Sequence, residues 1–383
     1  MSPRPFSGKI KGKSLLRKRI PRRLKNLSTS RPKKGSPMKA LMKTDYGPGH
    51  VEIRDIDRPV IPAPDWVLIR VMAAGICGTD VHIWQDKFNY WPPVTLGHEF
   101  SGVVTEIGAN CKRFKAGDRV VVEPQVHACG VCEYCRSGRM HMCQEKWTLG
   151  WRVNGCFCDT VAAPEMFLHR IPDGVSFELA ALCEPLAVAV YDVAEHGRIN
   201  INDFVVVQGS GPIGILAAYM AKRLGARTVV LTGVSASEYC RFPAALKLGA
   251  DFVINVQKEN LPEKVAELSG GKGVDCVIET SGVPSAIAQS IDMLRKGGRL
   301  IGIGIPGDKT IPVPWKDAVM KSLEFYFSMS TSYTAWDKAL CLMQADAGLL
   351  RQVVTWTGAL EDWEAVFQSL VEEKNIKAVF VLA

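Results

Sequence analysis

No run of apolar residues in this 383-residue chain reaches the ~20 residues that a membrane-spanning helix requires, so the sequence offers no such span. A secretory signal is also missing, and the twelve cysteines are therefore expected to be reduced thiols or metal ligands in a cytoplasmic setting, not a disulfide framework. There is no internal repeat. Most telling is the absence of acid from residues 1–37, which hold thirteen Lys or Arg. The net charge of +8 comes from this stretch, and the remainder carries about −5. A basic face for nucleic acid is thus not expected on the body. Rich in Pro, Ser and like charge, 1–37 reads as a disordered, dispensable tail. Organelle targeting, loose polyanion binding and a translation start at Met38 remain other readings of it.

What is present starts with Cys129, Cys132, Cys135 and Cys143, at spacings of two, two and seven residues. Four thiolates so close can close a tetrahedral zinc site with no open position, which is a structural site. The turn formers and charges between them suit an exposed lobe, 127–145. The other seven cysteines read as small packing residues. Upstream stand Cys77, in Gly75-Ile76-Cys77-Gly78-Thr79-Asp80-Val81-His82, and Gly97-His98-Glu99. Downstream, the apolar run 204–207 leads into Gly209-Ser210-Gly211-Pro212-Ile213-Gly214 and then a helical pattern. Glycines that end a strand and open a helix let bare backbone and a helix N-terminus hold a pyrophosphate.

Short β runs at 66–71, 102–107 and 118–122, parted by Gly, Pro and Asp, predict a small β-barrel-like domain interrupted by the lobe. From about 204 the pattern turns to strand–helix alternation, with strands at 204–207, 228–231, 252–254, 274–278 and 299–303. That is the pattern of a doubly wound parallel sheet. Helical pieces at 336–343 and 363–373 precede a last strand at 378–381. The fold class is α/β, with two domains.

With these motifs in this order, residues 38–383 resemble the zinc-dependent medium-chain dehydrogenases, nearest the polyol (sorbitol or L-iditol) and L-threonine 3-dehydrogenase branches. The resemblance implies a GroES-like catalytic domain from 38–190 and 332–383, a Rossmann NAD(P) domain at 191–331, and a homodimer or homotetramer. It also implies two zinc ions per chain. Cys77 and His98 match ligands of the catalytic zinc, Glu99 the acid on or just behind the metal, and Glu184, in Glu184-Pro185-Leu186, a further acid near it. Such a set leaves room for water or a substrate hydroxyl. Asp80 matches the carboxylate that orients the ligating histidine. Thr79 and His82 match a relay that carries the hydroxyl proton to solvent.

Gly209, Gly211, Pro212, Ile213 and Gly214 are the expected cofactor turn. After 228–232, where NAD-preferring relatives place an acid, stands Gly233, followed by Ser235 and Arg241. Without that carboxylate, and with Ser235 or Arg241 to meet a 2′-phosphate, the sequence leans to NADP. Glu238 keeps NAD open. The leading expectation is oxidation of a secondary alcohol on a polyol or sugar alcohol. L-threonine 3-dehydrogenase is the alternative within the class, and a non-catalytic zinc- or nucleotide-binding protein the alternative outside it.

Overall fold

The computed structural model describes residues 37–382. All but Pro37 of the basic segment therefore lies outside the described residues, and with it the expectations placed on that segment.

The ten-residue strand Trp66–Gly75 organises the first body. It pairs antiparallel with Glu99–Ile107, with Thr160–Pro164 and with the late strand Lys377–Val381. Nine of its residues are buried or half-buried, because apolar groups cover both faces, and alternation is lost. This seven-stranded sheet abuts a three-stranded one built on Met38–Lys43. Both pack around one core that includes Leu41, Ile69, Phe100, Phe157 and Phe380. The C-terminal strand thus completes a sheet begun some 300 residues earlier.

The second body is a parallel six-stranded sheet. In spatial order its strands are Phe252–Asn255, Thr228–Gly233, Phe204–Gln208, Val274–Glu279, Leu294–Gly302 and Glu324–Phe327. Neighbouring residues of the central strand go to different cores. Val205 and Val207 meet the helices Pro212–Arg223 and Arg241–Lys247, while Phe204 and Val206 meet Leu261–Ser269 and Pro284–Met293. Helices therefore cover both faces, which is the doubly wound arrangement the continuous Val-rich runs imply. The helices Cys183–Ala189 and Tyr333–Ala345 join the first of these cores and bind the two bodies together. Sequence patterning does not reveal the wide π-helical stretch Val190–His196 that follows Cys183–Ala189.

Candidate active site

Two groups of metal-ligand side chains stand out among the described residues, Cys129–Cys132–Cys135–Cys143 and Cys77–His98–Glu99, each with its ligand atoms within 4.8 Å of one another. In the lobe, the backbone is wrapped tightly enough for N–H groups to point at sulfur: Cys132 N to Cys129 Sγ at 3.4 Å and Cys135 N to Cys132 Sγ at 3.5 Å. Backbone N–H groups of Val131 and Cys132 bring the Cys129 thiol down to about 7, near the range where a thiolate is the resident form. Cys129 Sγ and Cys135 Sγ are 3.9 Å apart, close to the ~3.8 Å edge of a tetrahedron with ~2.3 Å Zn–S bonds. All four are free thiols.

The other set is gathered from the barrel. Cys77 caps the short helix Gly78–Trp84, while His98 directly precedes and Glu99 opens the strand Glu99–Ile107. Asp80 ties the two segments: its Oδ2 accepts from Cys77 N at 2.9 Å and its Oδ1 from Gly97 N at 3.0 Å. Gly97 is obligatory, with φ +88° and Phe157 only 2.4 Å from where a Cβ would stand. His98 Nδ1 lies 3.8 Å from Asp80 Oδ1 and is a buried nitrogen with no hydrogen-bond partner. Burial disfavours charge on His98, but Cys77 and Asp80 outweigh it and lift its pKa to about 10. An anionic pocket holding an orphaned imidazole nitrogen is what a divalent cation would satisfy, so the donor set fits zinc.

A group that sequence reasoning missed sits behind it. Lys377, 2% exposed, donates to both Glu99 oxygens at 2.6 and 2.9 Å and to Ile76 O at 3.0 Å. A lone lysine heading an apolar strand is the signal that could have flagged it. Glu184, half-buried at the start of Cys183–Ala189, stays outside the 4.8 Å group, though it interacts electrostatically with Glu99 and His98. Burial, then Glu99, pushes it up to about 7. Thr79 is half-buried and His82 exposed, three residues apart on one helix face, with no hydrogen bond between them among the described residues. The ring of Trp151 meets His98 edge-on at 4.9 Å, and Phe88 meets Trp151 at 5.6 Å, giving the pocket an aromatic wall.

At the second body, Phe204–Gln208 ends at Gly209 (φ +110°) and Pro212 opens the helix Pro212–Arg223. A Cβ on Gly214 would stand 1.9 Å from Gly209 O, so helix and turn touch backbone to backbone, while Gly211 is open. These residues, with Ile213 in the first turn, fit a pyrophosphate. The neighbouring corner corrects the expectation for Arg241. It is buried, with Nη1 2.8 Å from Glu373 Oε2 and Nη2 donating to Asn375 O, so its fork is already committed. Gly233 has no room for a side chain, since its Cβ would meet Phe242, Ser237 and Ser210 within 2.8 Å. Ser235 Oγ accepts from Asn255, and Glu238 is held by Asn255 and Lys258.

Family models agree with both bodies: the alcohol dehydrogenase GroES-like domain matches residues 63–173 and the zinc-binding dehydrogenase domain residues 212–345. The sorbitol dehydrogenase of Halalkalibacterium halodurans is 36% identical over 342 residues, spanning 89% of this chain and 98% of that one. The chain belongs to the zinc-dependent medium-chain alcohol dehydrogenases. An L-threonine 3-dehydrogenase of Burkholderia ambifaria is 33% identical to this dehydrogenase over 349 residues, 89% of this chain and 98% of that relative. A zinc-binding dehydrogenase structure from Sinorhizobium meliloti, bound to NADP, superposes with a TM-score of 0.82 at 28% identity, covering 91% and 100% of the two chains. The dehydrogenase is thus an NAD(P)-dependent enzyme with a four-cysteine structural zinc site and a Cys–His–Glu catalytic one. No helix among its described residues is long and apolar enough to cross a membrane.

Proposed function

We propose that this dehydrogenase oxidises a secondary alcohol of a polyol or sugar alcohol. The observation that carries the reading is Glu184, an acid at the edge of the Cys77–His98–Glu99 set without belonging to it. A carboxylate there accepts hydrogen bonds from vicinal hydroxyls and opposes a substrate carboxylate close to the reacting carbon. Bound zinc and nicotinamide supply, respectively, Lewis acidity at the hydroxyl oxygen and a hydride acceptor. Cys77 and His98 hold the metal in this reading, and Glu99 lies on or behind it, its charge anchored by Lys377. Asp80 fixes the spacing between the ligand-bearing segments. Phe88 and Trp151 exclude water from the reacting carbon. Thr79, half-buried, passes the hydroxyl proton toward exposed His82.

For the cofactor the reading leans to NADP. Gly233 bears no carboxylate, Ser235 and Lys258 flank the corner, and Glu238 is already engaged by Lys258 and Asn255. A homodimer or homotetramer in the cytoplasm completes the proposal, supported by the edge strand Glu324–Phe327, where Phe327 is 68% exposed. L-threonine 3-dehydrogenase is the second reading, favoured by the Thr79–His82 helix and the Burkholderia relative. The test is nicotinamide reduction by zinc-replete protein with sorbitol, other sugar alcohols, 2,3-butanediol and L-threonine, each with NAD and NADP. Turnover of polyols with NADP is the expected result, and turnover of L-threonine alone overturns it.

A further inference from the structure

The turn after Trp147–Thr148 carries a cation that the reaction outlined above does not use. Arg152 directly follows Trp151, the residue packed against His98. Its guanidinium carbon lies 4.5 Å from the Trp147 ring centroid and 5.3 Å from that of Trp91. The turn that carries Arg152 is itself joined to Trp91, whose N–H donates to Trp151 O at 2.9 Å. Held between two aromatic faces, the fork has lost much of its freedom before any ligand arrives. Among the described residues no carboxylate pairs with it. The half-buried Arg299 and the buried Arg241, by contrast, each have one. Burial alone acts on Arg152, depressing its pKa with no acid to offset the cost.

A staple between two tryptophans would need only bulk. A half-buried charge kept without a partner, beside the wall of the catalytic pocket, calls for an anion brought by something else.

We propose that Arg152, clamped by Trp91 and Trp147 beside the Trp151 wall, is an oxyanion subsite that binds an anionic group on the alcohol substrate, remote from the reacting carbon. The subsite deepens the polyol reading and rests on it: the substrate is an acidic polyol, its charge supplied by a phosphate monoester or by a sugar-acid carboxylate. The planar fork matches either group through two parallel hydrogen bonds.

The test uses zinc-replete, full-length enzyme, Arg152→Met and Arg152→Lys, assayed with sorbitol, sorbitol 6-phosphate, gluconate and L-threonine. Inorganic phosphate serves as a competitor, and its binding is followed separately by calorimetry without any alcohol. Wild type should prefer one acidic polyol over sorbitol, and which one it prefers identifies the anion. Arg152→Met should raise KM for that substrate roughly 100-fold with far less change in kcat, collapse the preference over sorbitol, and abolish phosphate binding. Arg152→Lys should recover part of it. An acidic polyol with the same KM in wild type and Arg152→Met overturns the subsite while the polyol reading stands. L-threonine as sole substrate, with KM raised by Arg152→Met, keeps the subsite and overturns the polyol reading. If Arg152→Met does not fold, wild type alone decides: absence of phosphate binding overturns the proposal.

Discussion

The two metal-ligand clusters of this dehydrogenase are built in opposite ways. The four thiols of the lobe lie within fifteen residues, on turns and a single helical turn at Glu133–Arg136, and their immediate support is their own backbone N–H groups. The catalytic set draws on a helix cap, a strand start and, behind them, a lysine 278 residues from the glutamate it holds. One is local, a thin loop whose four thiols are placed for a metal to tie together. The other is assembled by the barrel, and its groups are positioned by protein contacts in advance of any ion. A closed site is part of its own scaffold; an open one is held by someone else's.

That contrast can be broken by experiment, beginning where the effect should be greatest. Cys77→Ser should cut kcat/KM by at least about 1,000-fold while thermal unfolding stays within a few degrees of wild type and metal analysis shows one zinc lost. A large drop in stability would mean that both clusters are structural. Cys132→Ser should do the reverse, lowering stability by several kcal/mol with the loss of the other zinc, read by denaturant unfolding. Unchanged stability in a demetallated lobe would erase the distinction.

Lys377→Met probes the support of the open site. It strands the Glu99 carboxylate, 1% exposed, and should cost about 3–5 kcal/mol, with Lys377→Arg recovering much of it in the same unfolding assay. The smallest effect is expected at a residue that belongs to neither ligand set. Asp192 is fully buried, hydrogen-bonded to Ser328 through one oxygen and unpartnered at the other, and burial pushes it up to about 7. Between its unfolded pKa near 4 and about 7 the unfolded chain binds fewer protons, so Asp192 erodes stability as pH rises through that window. Asp192→Asn should therefore be more stable than wild type at pH 8 and little changed at pH 4, seen as a melting temperature that depends less on pH.

The same contrast explains what could be read in advance. The lobe was legible because its ligands are neighbours in sequence, and the parallel sheet because strands covered on both faces, such as 204–207, are continuous apolar runs. Cys77, His98 and Glu99 were legible only through the order of their motifs. Lys377 left only a faint trace, a lone charge heading an apolar strand, and nothing local names Glu99, 278 residues away, as its partner. Arg241 misled for a related reason. Its position after Gly233 suits a phosphate, but its partner, Glu373, arrives from a turn 132 residues later, next to the strand Lys377–Val381. The aromatic wall of Trp151 and the wide helical turn at Val190–His196 likewise depend on packing between distant segments.

The pairing of Glu99 with Lys377 also sets a timetable. During synthesis the carboxylate leaves the ribosome 278 residues ahead of its counter-ion, roughly fifteen seconds to a minute at ~5–20 residues per second. In that interval the nucleotide sheet, encoded wholly between them, can close, while the edge of Trp66–Gly75 reserved for Lys377–Val381 stands open. The part of the molecule that comes first in the chain is therefore the last to mature, and a ribosome stalled before residue 377 presents a nearly complete enzyme with an unguarded strand edge beside an unneutralised acid. Chaperone capture of nascent chains should concentrate in that interval.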